Sequence, residues 1–132
     1  MSLLLLDTTF LVDAERGAAE LDDAIGDDDD VAIAAITVAE LLVGVELATA
    51  RHRTSREHFV DEVLSAIPVL DYDVRVASEH ASLLAAIRKA GRPRGAHDLI
   101  IAATARASGR TVVTADAAAF VDLPGVDVAD HR

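Results

Sequence analysis

The sequence predicts a three-layer α/β/α sandwich around a central parallel sheet of four or five strands. Two observations carry that expectation. Short apolar runs recur along the chain, as strands buried on both faces of a parallel sheet should read. Between most of them lie stretches with helical periodicity, and strands alternating with helices at this spacing imply a sheet covered on both sides. At 132 residues the chain is most simply one domain, residues 1–132, long enough to bury a substantial core.

The elements follow in order. Leu3 to Leu6 is the first strand, and Thr8 or Thr9 is placed to cap a short helix, FLVDAERG, closed by Gly17. A second helical stretch, AAELDDAIG, leads into an aspartate run, Asp27 to Asp30, read as a solvated turn. The run lacks the alternating ligands, central glycine and distal Glu of a common calcium loop. Val31 to Ala34 is the second strand. Thr37 then offers an N-cap with Glu40 at capping-box spacing, ahead of LLVGVELATA. From Thr54 to Ala66 a helix places Phe59, Val63 and Ile67 on one face. PVLDY is a short third strand opened by Pro68, and VRVASEHASLLAAIRKAG a long amphipathic helix stopped by Gly91. After the loop RPRGA comes a helix, HDLIIAATARASG, closed by Gly109. TVVTA is a strand, DAAAFV a short helix and GVDV the last strand.

Composition narrows the chemistry. Cysteine is absent, which excludes disulfides, zinc–thiolate centres and thiol catalysis within this sequence. The leucine run is too short for a signal sequence, and VAIAAITVA falls well short of a membrane span, so the reading is a soluble, cytoplasmic protein. The formal net charge of −11 speaks against a nucleic-acid partner on average. Its distribution is uneven, however. Basic residues gather in RHRTSR (Arg51 to Arg56) and in RKAGRPR (Arg88 to Arg94), the second block free of acids.

Four acids stand where a parallel sheet collects ligands, outside the carboxyl ends of its strands. Asp7 ends the first strand and Asp116 follows TVVT. Glu40 is expected in the first turn of the helix after strand two, and Asp98 in the first turn of the helix before strand four. Each has a structural reading by itself. Asp7 and Asp116 suit helix caps, Glu40 suits a capping box with Thr37, and Asp98 suits the helix dipole. Together at one rim they would repel one another and raise their own pKa values unless cations neutralise them. Oxygen-only donors of this kind suit hard divalent ions, which activate water toward a phosphodiester.

The motifs LLLLDTTFLVD, TVAELLVG, HDLIIAATA and TVVTADAAAF, in this order from Leu3 to about Phe120, resemble the successive motifs of the PIN domain, specifically of VapC-type toxins from type II toxin–antitoxin pairs. The resemblance implies a PIN-like fold with Asp7, Glu40, Asp98 and Asp116 as an acidic, metal-binding quartet. It implies Thr9 as support for the first acid and Thr114 as the threonine preceding the last. It further implies an endoribonuclease dependent on Mg²⁺ or Mn²⁺, a homodimer, an RNA substrate and a cognate VapB-like antitoxin that blocks the site. Arg88, Lys89, Arg92 and Arg94, just before Asp98, are candidates for RNA phosphates; a solvated helix end explains them equally well.

Other readings fit less well. His97–Asp98 has the dipeptide of HD-type phosphohydrolases, but His52, His58 and His80 lack the matching spacing; His97 reads as a helix-start residue. A receiver domain needs a lysine at its last strand, and the single Lys89 lies at a helix end. No phosphate-cradling glycine loop is present. The remaining alternative is a PIN-fold interaction domain without turnover.

Overall fold

The computed structural model describes residues 1–17 and 26–130. The helical stretch expected over 18–26 lies, but for its last residue, outside the described residues. The elements are β1 (Leu3–Leu6), α1 (Thr8–Glu15), β2 (Asp30–Ala34), α2 (Ala35–Glu46), α3 (Ala50–Ala66), β3 (Val69–Leu70), α4 (Val74–Ala90), α5 (Ala96–Ser108), β4 (Thr111–Thr114), a 3₁₀ turn (Ala117–Phe120) and β5 (Val128–Asp130).

The five strands form one sheet in the order β3-β2-β1-β4-β5, and every pairing is parallel. Leu5 pairs with Ala32 on one side and Val112 on the other, so β1 is the central strand. Successive strand residues point to opposite faces. Leu5, Ala32 and Val112 therefore enter one core with Leu83 and Ile87 of α4 and Leu99 and Ile101 of α5. Leu4, Leu6, Ile33 and Val113 enter the other with Phe10 and Leu11 of α1, Leu41 and Val45 of α2, and Val60 and Val63 of α3. This is why Leu4, Leu5 and Leu6 stand in a row: both faces of β1 are dry there, while Leu3 at its start is exposed. On the first face Ala102, Ala103 and Ala105 give α5 a small-residue surface within the core.

Several boundaries differ from expectation. The cap of α1 is Asp7, whose Oδ1 accepts the Phe10 amide at 2.9 Å, and not Thr8 or Thr9. Helix α2 follows β2 directly, so Thr37 is inside the helix and fully buried, and the capping box with Glu40 does not form. Glu40 consequently lies in the second turn of α2, not the first. Helix α3 starts at Ala50, four residues before Thr54. The third strand keeps only Val69 and Leu70, and the last begins at Val128, after a turn in which Gly125 takes φ +71°.

The cluster Arg51 to Arg56 has a structural use. Arg53 donates to the carbonyls of Val45, Glu46 and Ala48, and Arg56 to that of Gly44. These are carbonyls at the C-terminal end of α2, where a helix lacks its own donors and favours positive charge. Among the described residues no helix is long and apolar enough to cross a membrane.

Candidate metal centre

Chain order places β2 and β3 to one side of β1 and β4 and β5 to the other. The crevice between the ends of β1 and β4 is thus the topological switch point, where open parallel sheets bind ligands. Asp7 and Asp116 flank it. The Asp7 amide continues the ladder by donating to Val113 O at 3.0 Å, which puts its side chain at the strand's end. Asp7 is only 2 % exposed, and an ionised carboxylate that deep needs donors. It has three. Thr9 Oγ1 donates to Oδ1 at 2.8 Å, the Phe10 amide to the same oxygen, and Thr114 Oγ1 to Oδ2.

The two threonines knit the crevice further. Thr9 Oγ1 lies 3.2 Å from Thr114 Oγ1 and accepts the Ala115 amide at 3.1 Å, while Thr114 Oγ1 accepts the Asp116 amide at 2.9 Å. Asp116 therefore has its backbone fixed by the residue that supports Asp7. Asp116 occupies the cap position of the 3₁₀ turn, as the helix-cap reading expects, but its exposed side chain makes no capping bond.

Glu40 arrives from α2. Thr8 Oγ1 donates to its Oε1 at 2.8 Å, and His97 Nδ1 stands 3.4 Å from its Oε2. Asp98, one residue beyond His97 in the first turn of α5, is half-buried. Gly95, at the N-cap of α5, lies so near it that a Cβ there would meet Asp98 Oδ2 at 2.8 Å.

The electrostatics bring the four acids together. Burial pushes the Asp98 carboxyl above its ordinary range, the charges of Glu40, Asp7 and Asp116 push it the same way, and His97 offsets part of this. Burial likewise raises Asp7 against the pull of its three donors, and Asp116 adds to the rise. Four acids distant in sequence thus share one field at the carboxyl rim. The donors are all oxygen, with carboxylates and hydroxyls side by side, which matches a hard divalent cation in kind. In spacing the site is open: among the described residues, no three His, Asp or Glu side chains stand together closely enough to hold one ion.

The basic candidates divide. Arg94 donates to Val121 O at 2.7 Å and Arg92 pairs with Asp122 at 3.4 Å, so both tie the loop before α5 to the segment after the 3₁₀ turn. Arg88 and Lys89 occupy the exposed last turn of α4. Sequence reasoning missed Thr8 and Gly95. Thr8 sits beside Asp7 in a helix's first turn, and Gly95 precedes Asp98 by one turn; in each case adjacency to an acid was the available signal.

A family model described as the PIN domain matches residues 4–125. The tRNA(fMet)-specific endonuclease VapC of Salmonella typhimurium is 34% identical over 98 residues, covering 74% of this chain and 73% of that protein. VapC ribonuclease Y4jK of Sinorhizobium fredii is 36% identical over 100 residues, covering 73% of this chain and 71% of that protein. Among solved structures, VapBC-5 of Mycobacterium tuberculosis, a toxin–antitoxin system, superposes with a TM-score of 0.81 at 31% identity, over 98% of this chain and 99% of that one. VapBC2 of Rickettsia felis, bound to a promoter DNA fragment, gives 0.89 at 22% identity, over 98% and 99%, which speaks to the fold alone. The chain belongs to the PIN-domain family, in its VapC branch.

Proposed function

We propose that this chain is the toxin of a VapBC-type toxin–antitoxin pair, an endoribonuclease whose activity depends on Mg²⁺ or Mn²⁺. The observation that carries the reading is the convergence of acids from distant parts of the chain at one rim. Asp7 is held by Thr9 and Thr114, Glu40 by Thr8 and His97, and Asp98 is pushed upward first by burial and then by the charges of Glu40, Asp7 and Asp116. Membership of a branch whose relatives are named ribonucleases supplies the reaction class.

In this reading Asp7, Glu40, Asp98 and Asp116 hold the cation, Asp7 and Asp98 most directly. The chemistry such a cation supplies is activation of a water and neutralisation of charge on the phosphodiester. Thr9 and Thr114 favour the ionised form of the buried Asp7 and aim it, by donating to its two oxygens. Thr114 also holds the Asp116 backbone, and so sets where the last acid emerges. Arg88 and Lys89, with Arg92 and Arg94 of the loop before α5, are assigned to RNA phosphates. A VapB-like antitoxin and a second copy of the chain are its protein partners. Leu42 and Val43, left exposed on α2, and Leu47 just after its end offer the apolar contact an antitoxin helix needs.

The test is cleavage of a structured RNA by the purified protein with Mg²⁺, with chelator, and with Asp7→Asn or Asp98→Asn. Cleavage with Mg²⁺ that leaves 5′-phosphate on the downstream product, and that is lost with chelator and in both variants, supports the proposal. Cleavage that survives both substitutions, or a 2′,3′-cyclic phosphate product, refutes it. The competing reading, an interaction domain without turnover, is favoured by the open spacing of the acids; it predicts antitoxin binding with no metal-dependent cleavage.

A further inference from the structure

Like Asp7, Glu40 has its two oxygens approached by side chains from two different elements. Thr8, the first residue of α1, donates to Oε1 at 2.8 Å; His97, in the first turn of α5, faces Oε2 at 3.4 Å. The Thr8 hydroxyl also lies 3.4 Å from the hydroxyl of Thr37, which is fully buried one turn before Glu40 on α2. A hydroxyl has one proton, and the shorter, charge-assisted contact to the carboxylate takes it. A glutamate has three side-chain torsions, and without such holds it would sample several rotamers at a partly exposed position.

Resting on the reading of Glu40 as a cation ligand, we propose that Thr8 is a positioning residue for the reaction, holding the Glu40 carboxylate in the orientation it takes between Thr8 and His97. The same segment thereby serves two acids at once. Thr9 points to Asp7 and Thr8 to Glu40, so the dipeptide after the first strand sets the relation between the β1 acid and the α2 acid. Neither hydroxyl is needed to start α1, because Asp7 itself is the cap.

Direct Mn²⁺ binding, by titration calorimetry or electron paramagnetic resonance, tests this alongside RNA cleavage and the unfolding temperature. Thr8→Val keeps the shape and removes the proton. It is expected to weaken Mn²⁺ binding and to raise the Mn²⁺ needed for half-maximal cleavage, each by about 10–100-fold, the usual effect of losing a group that orients a ligand. Thr8→Ser restores both, and the unfolding temperature stays close to that of the parent. In the Glu40→Gln background Thr8→Val has no further effect, since Thr8 acts through Glu40. Parent-like Mn²⁺ binding by Thr8→Val, beside impaired binding by Glu40→Gln, overturns the positioning role and leaves the site reading intact. Parent-like binding by Glu40→Gln overturns the assignment of Glu40, and the inference with it. An equal loss on adding Thr8→Val to Glu40→Gln shows Thr8 acting elsewhere, and also overturns it.

Discussion

The Thr114 hydroxyl donates to Oδ2 of Asp7 across 107 positions of sequence, joining the ends of β4 and β1 at the point where the sheet order reverses. Because Thr114 is fully buried and Asp7 nearly so, the bond is made out of water, where a carboxylate deprived of a donor is costly. Thr114 is thus both a stability element and the hinge pin of the site.

Thr114→Val should therefore destabilise the protein by about 1.5–3 kcal/mol at neutral pH, the usual worth of a hydrogen bond to a charged group. The loss should shrink in acid, where a protonated Asp7 depends less on the missing donor. Urea unfolding at the two pH values measures it. An equal loss at both would mean that the hydroxyl is not serving the carboxylate.

The sign of the pH dependence follows from Asp98. Its carboxyl is raised above the ordinary 3.8 by burial, then by Glu40, Asp7 and Asp116. A carboxyl raised by folding favours the fold in its neutral form, so its contribution is whole in acid and is withdrawn as the pH climbs past 3.8 and through the raised value. Asp98→Asn should then raise the unfolding temperature of the metal-free protein at neutral pH and leave it unchanged in acid. Mn²⁺ should raise the unfolding temperature of the parent and do so far less for the variant, since a ligand that binds only the folded state stabilises it. Thermal scans with and without Mn²⁺ decide; a variant less stable than the parent at neutral pH would contradict the crowding.

How much of this was legible beforehand depends on the range of the interaction. The strands were readable because burial on both faces leaves an unbroken apolar run, as Leu4 to Leu6 shows. Three of the acids were readable because Asp7 and Asp116 follow strands and Asp98 opens a helix, whereas Glu40 lies one turn deeper in α2 than its spacing suggested. Glu40 was misjudged because Thr37 sits at capping-box spacing, whereas its partner is Thr8, 29 positions before Thr37 and packed beside it by the fold. Arg53 stood out only as part of a basic run, since its carbonyl partners exist only once α2 turns into α3. Local pattern reveals elements; it does not reveal which side chain across the sheet claims a given proton.

Arg110 provides a control at the opposite edge. It donates to the carbonyls of Leu4 and Asp30, at 3.1 and 2.8 Å, and pairs with the Asp30 carboxylate at 2.9 Å. It so clamps β1 to β2 from the start of β4, far along the strands from the acids. Arg110→Met keeps the stem and drops the donors, and should cost about 1–3 kcal/mol of stability. Mn²⁺ affinity of the folded variant should match the parent in calorimetric titration. A selective loss of affinity without a loss of stability would show that the two edges of the sheet are coupled.

Gly95 allows the sharpest separation of geometry from stability. Its φ of −59° and ψ of 136° are open to any residue, so alanine introduces no backbone strain there. The added methyl carbon would nevertheless stand 2.8 Å from Asp98 Oδ2, well inside van der Waals contact. The carboxylate is the free end of its side chain and can turn away at little cost, so Gly95→Ala should change stability by less than about 1 kcal/mol. Turning away moves a reacting-site group by roughly an ångström, a displacement that can cost on the order of 100-fold in rate. Cleavage and Mn²⁺ binding should both fall while the unfolding temperature holds. Unimpaired cleavage by Gly95→Ala would mean that the orientation of Asp98 seen beside Gly95 is not the one the reaction uses.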